Sequence, residues 1–232
     1  MSQQSKVNIQ VSYIYDPMCS WCWGYRPSWL ALQQAIHEQL PDVHINYSLG
    51  GLAPDSDQPM SLHTQEVLKH GWKRIANQLG TKFNFDYWEK CKPRRSTYPA
   101  CRACLIARES GLEEQMIVAI QEAYYLNAKN PSDDDTLIAL AKKIGLDEIA
   151  FSKQLSSPEI QQQLLSEIQQ THTLPINGFP SLVLSIDGRH QRIQLSYLHW
   201  EKSFEQIQKI INLKLRKGYL GVIMRALHYK SH

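Results

Sequence analysis

Apolar and polar residues alternate over Val7, Ile9, Val11, Tyr13 and Tyr15, the period-two pattern of a strand with one buried face. The rhythm then lengthens, and Trp23, Leu30, Ala31, Ile36 and Leu40 recur at helical spacing up to Pro41. Alternation returns at Val43, Ile45, Tyr47 and Leu49 and stops at Gly50-Gly51. The opening of the chain therefore predicts strand, helix, strand. From about Ser61 to Thr173, helix-period segments follow one another with polar breaks and no convincing strand. One runs from Leu112 to about Ala128; another opens in "NPSDDDTLIALAKKIG", with Ser132 as the expected N-cap and Gly145 as the stop. The run Asp133, Asp134, Asp135 reads as first-turn carboxylates complementing the helix dipole rather than as a metal site. Strands resume in "SLVLSIDGRHQRIQLS", where Asp187-Gly188 between two apolar runs signals a two-residue hairpin. Leu198, Phe204, Ile207 and Ile211 then predict a closing amphipathic helix that ends near Gly218.

Removing the helical middle leaves a compact α/β arrangement whose sheet-forming parts lie at the two ends of the chain. The middle thus reads as an insertion: one α/β unit over residues 1–54 and 174–232, interrupted by a helical subdomain over 55–173. The 232 residues, 43% hydrophobic and 20% charged, describe a soluble globular protein. A net charge of +3 with acids and bases interspersed offers no stripe for a phosphate backbone, which argues against nucleic acid as a partner. No stretch of about 20 apolar residues is present to cross a bilayer, so no membrane partner is expected. The start of the chain lacks the charged, apolar and small-residue regions of a secretion signal, so the expected location is the cytoplasm. In that reducing compartment five cysteines are expected to serve catalysis, sensing or metal binding rather than a permanent disulfide framework.

"DPMCSWCWGYRP" sets Cys19 and Cys22 between the first strand and the first helix. The unpaired N–H groups at a helix start favour an anion, so Cys19 is placed to be the attacking thiolate. Cys22, one turn inward and shielded, is placed to resolve the mixed disulfide by closing a short ring. Pro27, five residues after Cys22, would kink the helix. In "PINGFPSLVL", Pro180 follows Gly178-Phe179 and precedes a strand, a setting in which cis peptides are found, although an ordinary trans strand start fits too. A cis bond there would turn the Phe179 backbone outward beside the dithiol, where a substrate chain could pair with it. Trp21, between the two thiols, is the aromatic expected to be exposed and to contact substrate, whereas Trp23 is expected in the core. Asp16 is either an ordinary turn residue or a proton acceptor for Cys22.

Taken together, "DPMCSWCWG", "YPACRA" and "NGFPSL" resemble the thioredoxin superfamily, specifically its DsbA-like group with an inserted helical domain, and within it the FrnE-like proteins, predicted protein-disulfide isomerases. The resemblance implies a thioredoxin-like α/β fold and thiol–disulfide oxidoreductase or isomerase activity. It also implies Cys19 as exposed nucleophile, Cys22 as resolver and Pro180 as the cis-proline. The Ser20-Trp21 dipeptide departs from the Gly-Pro of thioredoxin and the Pro-His of DsbA. The implied partner is a disulfide-containing protein or a small thiol. No resident cofactor is implied, with glutathione as a candidate co-substrate.

"YPACRACLIARESG" adds a second C-x-x-C, in which Cys101 and Cys104 fall one turn apart on a helix that Pro99 helps to start, with Arg102 between them. Core filling, a second dithiol that relays electrons, and a zinc site shared with the first pair are all open for these thiols. The nine histidines show no ligand spacing, and His63 and His70 read as helix-surface residues. Two rival functions stand beside exchange. "STYPACRA" is similar to the glutathione-holding segment of kappa-class glutathione transferases and 2-hydroxychromene-2-carboxylate isomerases, which carry a lone serine where this chain has Cys19. A redox-switched peptide-binding module, with Trp21, Trp23 and Tyr25 as an apolar collar, is the non-enzymatic alternative.

Overall fold

The computed structural model describes residues 7–228, with side chains described as far as 214. Strand β1 (Ile9–Tyr15) leads into helix α1 (Ser20–Gln39) and strand β2 (Val43–Leu49). Seven helices follow: α2 (Leu62–Leu79), α3 (Tyr87–Lys90), α4 (Tyr98–Glu109), α5 (Glu113–Tyr125), α6 (Asp134–Lys143), α7 (Glu148–Leu155) and α8 (Pro158–Thr171). The hairpin β3 (Ser181–Ile186) and β4 (Arg189–Ile193) and helix α9 (Trp200–His228) complete the order. This is the α/β class, a sheet with a helical run between its second and third strands.

The sheet has the order β2-β1-β3-β4, with β1 parallel to β2 and antiparallel to β3. Tyr13 is the register point, opposite Tyr47 on one side and Leu182 on the other. Its ring stacks on Trp29 of α1 at 4.4 Å, which fixes α1 across that face of the sheet. Beyond the strict alternation read from the sequence, Ser12 and Ile14 on the opposite face are buried as well. In the hairpin, Asp187 (φ 49°) and Gly188 (φ 74°) both take positive φ, the primed turn that matches the twist of the flanking strands. One apolar core runs without a break from Val11 and Tyr13 through Cys22 and Tyr125 to Trp72 of the helical run.

Several local expectations need correction. The buried stripe of α1 is Cys22, Tyr25, Trp29, Leu32 and Ile36, while Leu30 is exposed and Trp23 only half-buried. Aromatic packing against Tyr13 sets the rotation of this helix, and it turns Leu30 outward. Helix α6 is capped by Asp133 rather than Ser132, whose hydroxyl instead donates to the Ser96 carbonyl at 2.6 Å. Asp133 is itself paired with Arg94 at 2.6 Å, so the acidic run is held by a salt bridge and the helix start. Leu198 lies before α9 and is exposed, and α9 continues through Gly218 to His228. An interior glycine costs a helix roughly 0.5–1 kcal/mol without ending it.

Candidate active site at the Cys19 and Cys22 thiols

The turn after β1 is organised by Asp16. Its carbonyl accepts from the Cys19 N–H at 3.0 Å and its Oδ1 from the Met18 N–H at 2.8 Å, a side chain standing in for backbone in a tight turn. Tyr125 of α5 donates its hydroxyl to the Met18 carbonyl at 2.7 Å and holds the turn from the helical side. Cys19 is thereby the N-cap of α1, in extended conformation, and its Sγ accepts from the Cys22 N–H at 3.4 Å. The same Sγ lies 3.4 Å from the Phe179 carbonyl oxygen, which can accept from the thiol. The chain thus brings Cys19, Cys22 and the segment Gly178–Pro180 to one point.

Cys22 is fully buried, and burial together with its hydrogen bond to Cys19 pushes its thiol well up. Cys19 is less exposed than expected, at 6%. Its access is a cleft of about 190 Å³ walled by Leu52, Met60, Leu68, Trp72 and Phe179. The Phe179–Pro180 peptide is cis, Pro180 is buried, and Gly178 is exposed at φ 115°. Ser181 Oγ donates to the Gly178 carbonyl at 2.7 Å and secures the bend. A Cβ built on Gly50 would meet the Phe179 ring, so only glycine lets that ring lie where it does. Trp21 is half-buried, with its ring edge-on to Tyr197 at 5.3 Å and the Arg74 guanidinium 5.1 Å above it.

Asp16 reaches much further than a turn residue needs to. It is wholly buried, and its Oδ2 accepts from the Leu52 N–H at 2.8 Å, the Thr97 hydroxyl at 2.6 Å and the Cys101 thiol at 3.6 Å. Burial raises its carboxyl above the ordinary range, although these donors pull it back. Its charge in turn raises the Cys22 thiol, after burial and Cys19 have done so. Cys101 and Cys104 both have zero exposure, and burial pushes both thiols well up, as for packed core thiols. Arg102 turns away from the thiols, holding Asp55 with both guanidinium nitrogens (2.8 and 2.9 Å) and Gln161 at 2.6 Å. Among the described residues no group of three or more His, Cys, Asp or Glu side chains is arranged to hold a metal.

Pattern reading missed the side of the cleft supplied by the helical run: Met60, Leu68, Trp72, Arg94, Arg95 and Tyr124. The adjacent arginines in "KPRRSTYPA" were the available signal, a doubled charge directly before a recognised motif. A larger cavity, about 1230 Å³, lies away from the thiols between the polar face of the sheet and α8, lined by groups such as Gln10, Ser12, Asn46 and Ser48.

Residues 10–211 match the family model described as the DSBA-like thioredoxin domain. The chain belongs to the DSBA-like thioredoxin domain family. Among solved structures, this DSBA-like chain resembles a candidate protein disulfide isomerase from Nitrosomonas europaea, 25% identical, with a TM-score of 0.75 over 89% of this chain and 98% of the other. It also resembles the cytosolic disulfide reductase DsbM from Pseudomonas aeruginosa, 25% identical, with a TM-score of 0.66 over 89% and 98%. That protein has also been solved with GSH. The curated relatives include the ClpXP adapter protein SpxH of Halalkalibacterium halodurans, 24% identical over 80% of this chain and 61% of the relative. The SpxH of Bacillus subtilis is 24% identical over 76% and 58%. The DSBA-like chain spans about three-fifths of the length of these adapters.

Proposed function

We propose that this protein is a thiol–disulfide oxidoreductase or isomerase of the FrnE-like kind, working through Cys19 and Cys22 on a disulfide-bearing protein or small thiol. The observation that carries the reading is the position of Cys19 Sγ: at the start of α1, 3.4 Å from the Cys22 N–H and 3.4 Å from the Phe179 carbonyl, at the floor of an open cleft. The Cys22 N–H of the first turn of α1 points at that sulfur. The Cys19 thiolate attacks one sulfur of a substrate disulfide, forming a mixed disulfide and releasing the other half as thiolate. Cys22 then loses its proton and attacks Cys19 Sγ, closing the internal disulfide and releasing the second half; two electrons pass from protein to substrate. Asp16, ionised, takes the Cys22 proton, and Thr97 and Cys101 position its carboxylate. Two molecules of a low-molecular-weight thiol such as glutathione restore the dithiol, in keeping with the GSH-bound structure of the DsbM neighbour. A cytoplasmic setting accords with the description of that neighbour as cytosolic, and the glutathione poise there favours reduction or isomerisation over oxidation. Among the described residues no helix is long and apolar enough to cross a membrane.

Disulfide reduction followed with and without glutathione tests this. Turnover should vanish in Cys19→Ser and persist in Cys101→Ser, and Cys22→Ser should accumulate one mixed disulfide per chain, visible by mass. Equal loss in Cys19→Ser and Cys101→Ser would give the second thiol pair a catalytic share. The likeness to SpxH adapters supports a second reading, a dithiol-switched binding module. Such a module would react once with a disulfide and then bind its partner differently, without cycling in the presence of reductant.

A further inference from the structure

We propose that Arg95 is a specificity-determining residue that selects small disulfides and thiols carrying a carboxylate, by pairing with that group at the rim of the Cys19 cleft. The inference rests on the exchange chemistry proposed above and adds the charge of the substrate to it. Among the described residues, the charged side chains lining the cleft are Arg94 and Arg95, and no Asp or Glu lines it. Arg94 is already committed: its guanidinium pairs with Asp133 at 2.6 Å and donates to the Ser132 carbonyl at 2.6 Å, which ties the cleft wall to α6. Arg95 is exposed and makes no ion pair or hydrogen bond among the described residues. Its charge nevertheless reaches the cleft: burial raises the Tyr124 hydroxyl, while a hydrogen bond to Tyr87 and then Arg95 pull it down. Arg74 of α2 sits 5.1 Å over the ring of Trp21, itself a cleft residue, which puts a further cation near the site.

A thiolate at the floor, apolar walls and an unpaired cation at the mouth suit a compact substrate with an apolar stem next to sulfur and a carboxylate a few bonds away. At about 190 Å³ the cleft has room for one arm of such a molecule. The planar fork of an arginine pairs with a carboxylate through two parallel bonds, and an exposed side chain can swing to meet it. Steering by unscreened positive charge also raises the encounter rate of anionic substrates in a salt-dependent way.

The test is the second-order rate of oxidation of pre-reduced full-length protein by oxidised glutathione (anionic), 2-hydroxyethyl disulfide (neutral) and cystamine (cationic). The wild type should rank them in that order at low salt. In Arg95→Gln the ratio of the glutathione rate to the neutral rate should fall about five- to tenfold, the scale of one charge-assisted contact at a partly wet site. Arg95→Lys should keep part of the ratio, and added salt should erode it in the wild type. Arg95→Gln with the wild-type ratio overturns the proposal. Alkylation of Cys19 by iodoacetate relative to iodoacetamide reads the same charge without any exchange. A lower ratio in Arg95→Gln supports the proposal even if no disulfide oxidises the protein, an outcome that would remove the exchange reading alone. An unchanged alkylation ratio counts against Arg95 whatever the disulfides do.

Discussion

Gly50 and Phe179 are 129 positions apart in sequence, yet the ring of the second occupies the space a side chain on the first would need. The carbonyl of Phe179 is 3.4 Å from Cys19 Sγ, so anything that moves the ring moves an acceptor that faces the thiol. Gly50→Ala should therefore cost about 1–3 kcal/mol of stability, the range for overpacking a tight site. It should also slow alkylation or exchange at Cys19, checked by thermal melting and by thiol-labelling rates on the same sample. At this scale the placement of the thiols at the start of α1, the Asp16 turn and the Phe179–Pro180 bend was legible because local spacing carries it: a turn, a helix start, an X-Pro step before a strand. Gly50 and Thr97 were not, since each acts through a contact that only the folded chain makes, and the place of Arg95 beside the cleft likewise depends on the fold. Thr97 bonds Asp16 across 81 positions, and no periodicity records such a pairing.

Whole helices are joined by Arg108. From α4 it holds Glu113 at the start of α5 (2.6 and 2.7 Å) and Glu167 on α8 (2.7 and 3.0 Å), while Glu167 also accepts the Leu49 N–H of β2 at 2.8 Å. Tyr15 of β1 adds its hydroxyl to Glu113 at 2.8 Å, so two strands and three helices meet in one charged knot. Arg108→Met would leave two carboxylates partly buried without their cation. The expected loss is about 2 kcal/mol, below the 3–5 kcal/mol of a sealed pair because the arginine is 35% exposed. Urea unfolding measures it, and Glu113→Gln in the same background should recover part of the loss by removing one stranded charge. Elements as such were readable from the sequence: the strands from their alternation, the hairpin from Asp187-Gly188, the helical run from its period. Their rotation was less so. Hydropathy counted Leu30 toward the buried stripe of α1, whereas ring stacking of Trp29 on Tyr13 decides which side of that helix faces in. The end of α9 escaped for a related reason, because one glycine weakens a helix without stopping it.

Over the molecule as a whole, Asp16 joins the end of β1, the segment after β2 through Leu52, and α4 through Thr97 and Cys101. Because burial lifts its carboxyl above the ordinary 3.8, the folded state holds that proton more tightly than the unfolded state does. Its contribution to stability is present below the ordinary value and is lost as pH rises from there through the folded value. Denaturation at a series of pH values should show the stability of the wild type relative to Asp16→Asn declining across that window and flat above it. Under the proposed role of Asp16 as acceptor of the Cys22 proton, which needs the ionised carboxylate, the closing step should move the other way, speeding up through the same window in the wild type and losing that dependence in Asp16→Asn. The cleft over Cys19 shares this divided origin. Its floor comes from the turn into α1 and the bend before β3, and its roof from α2, α5 and the segment leading into α4. Sulfur and surroundings are thus encoded in separate stretches of the gene, so under the proposed exchange chemistry a roof swapped in from a related protein should change which clients react while the pair of sulfurs stays unaltered.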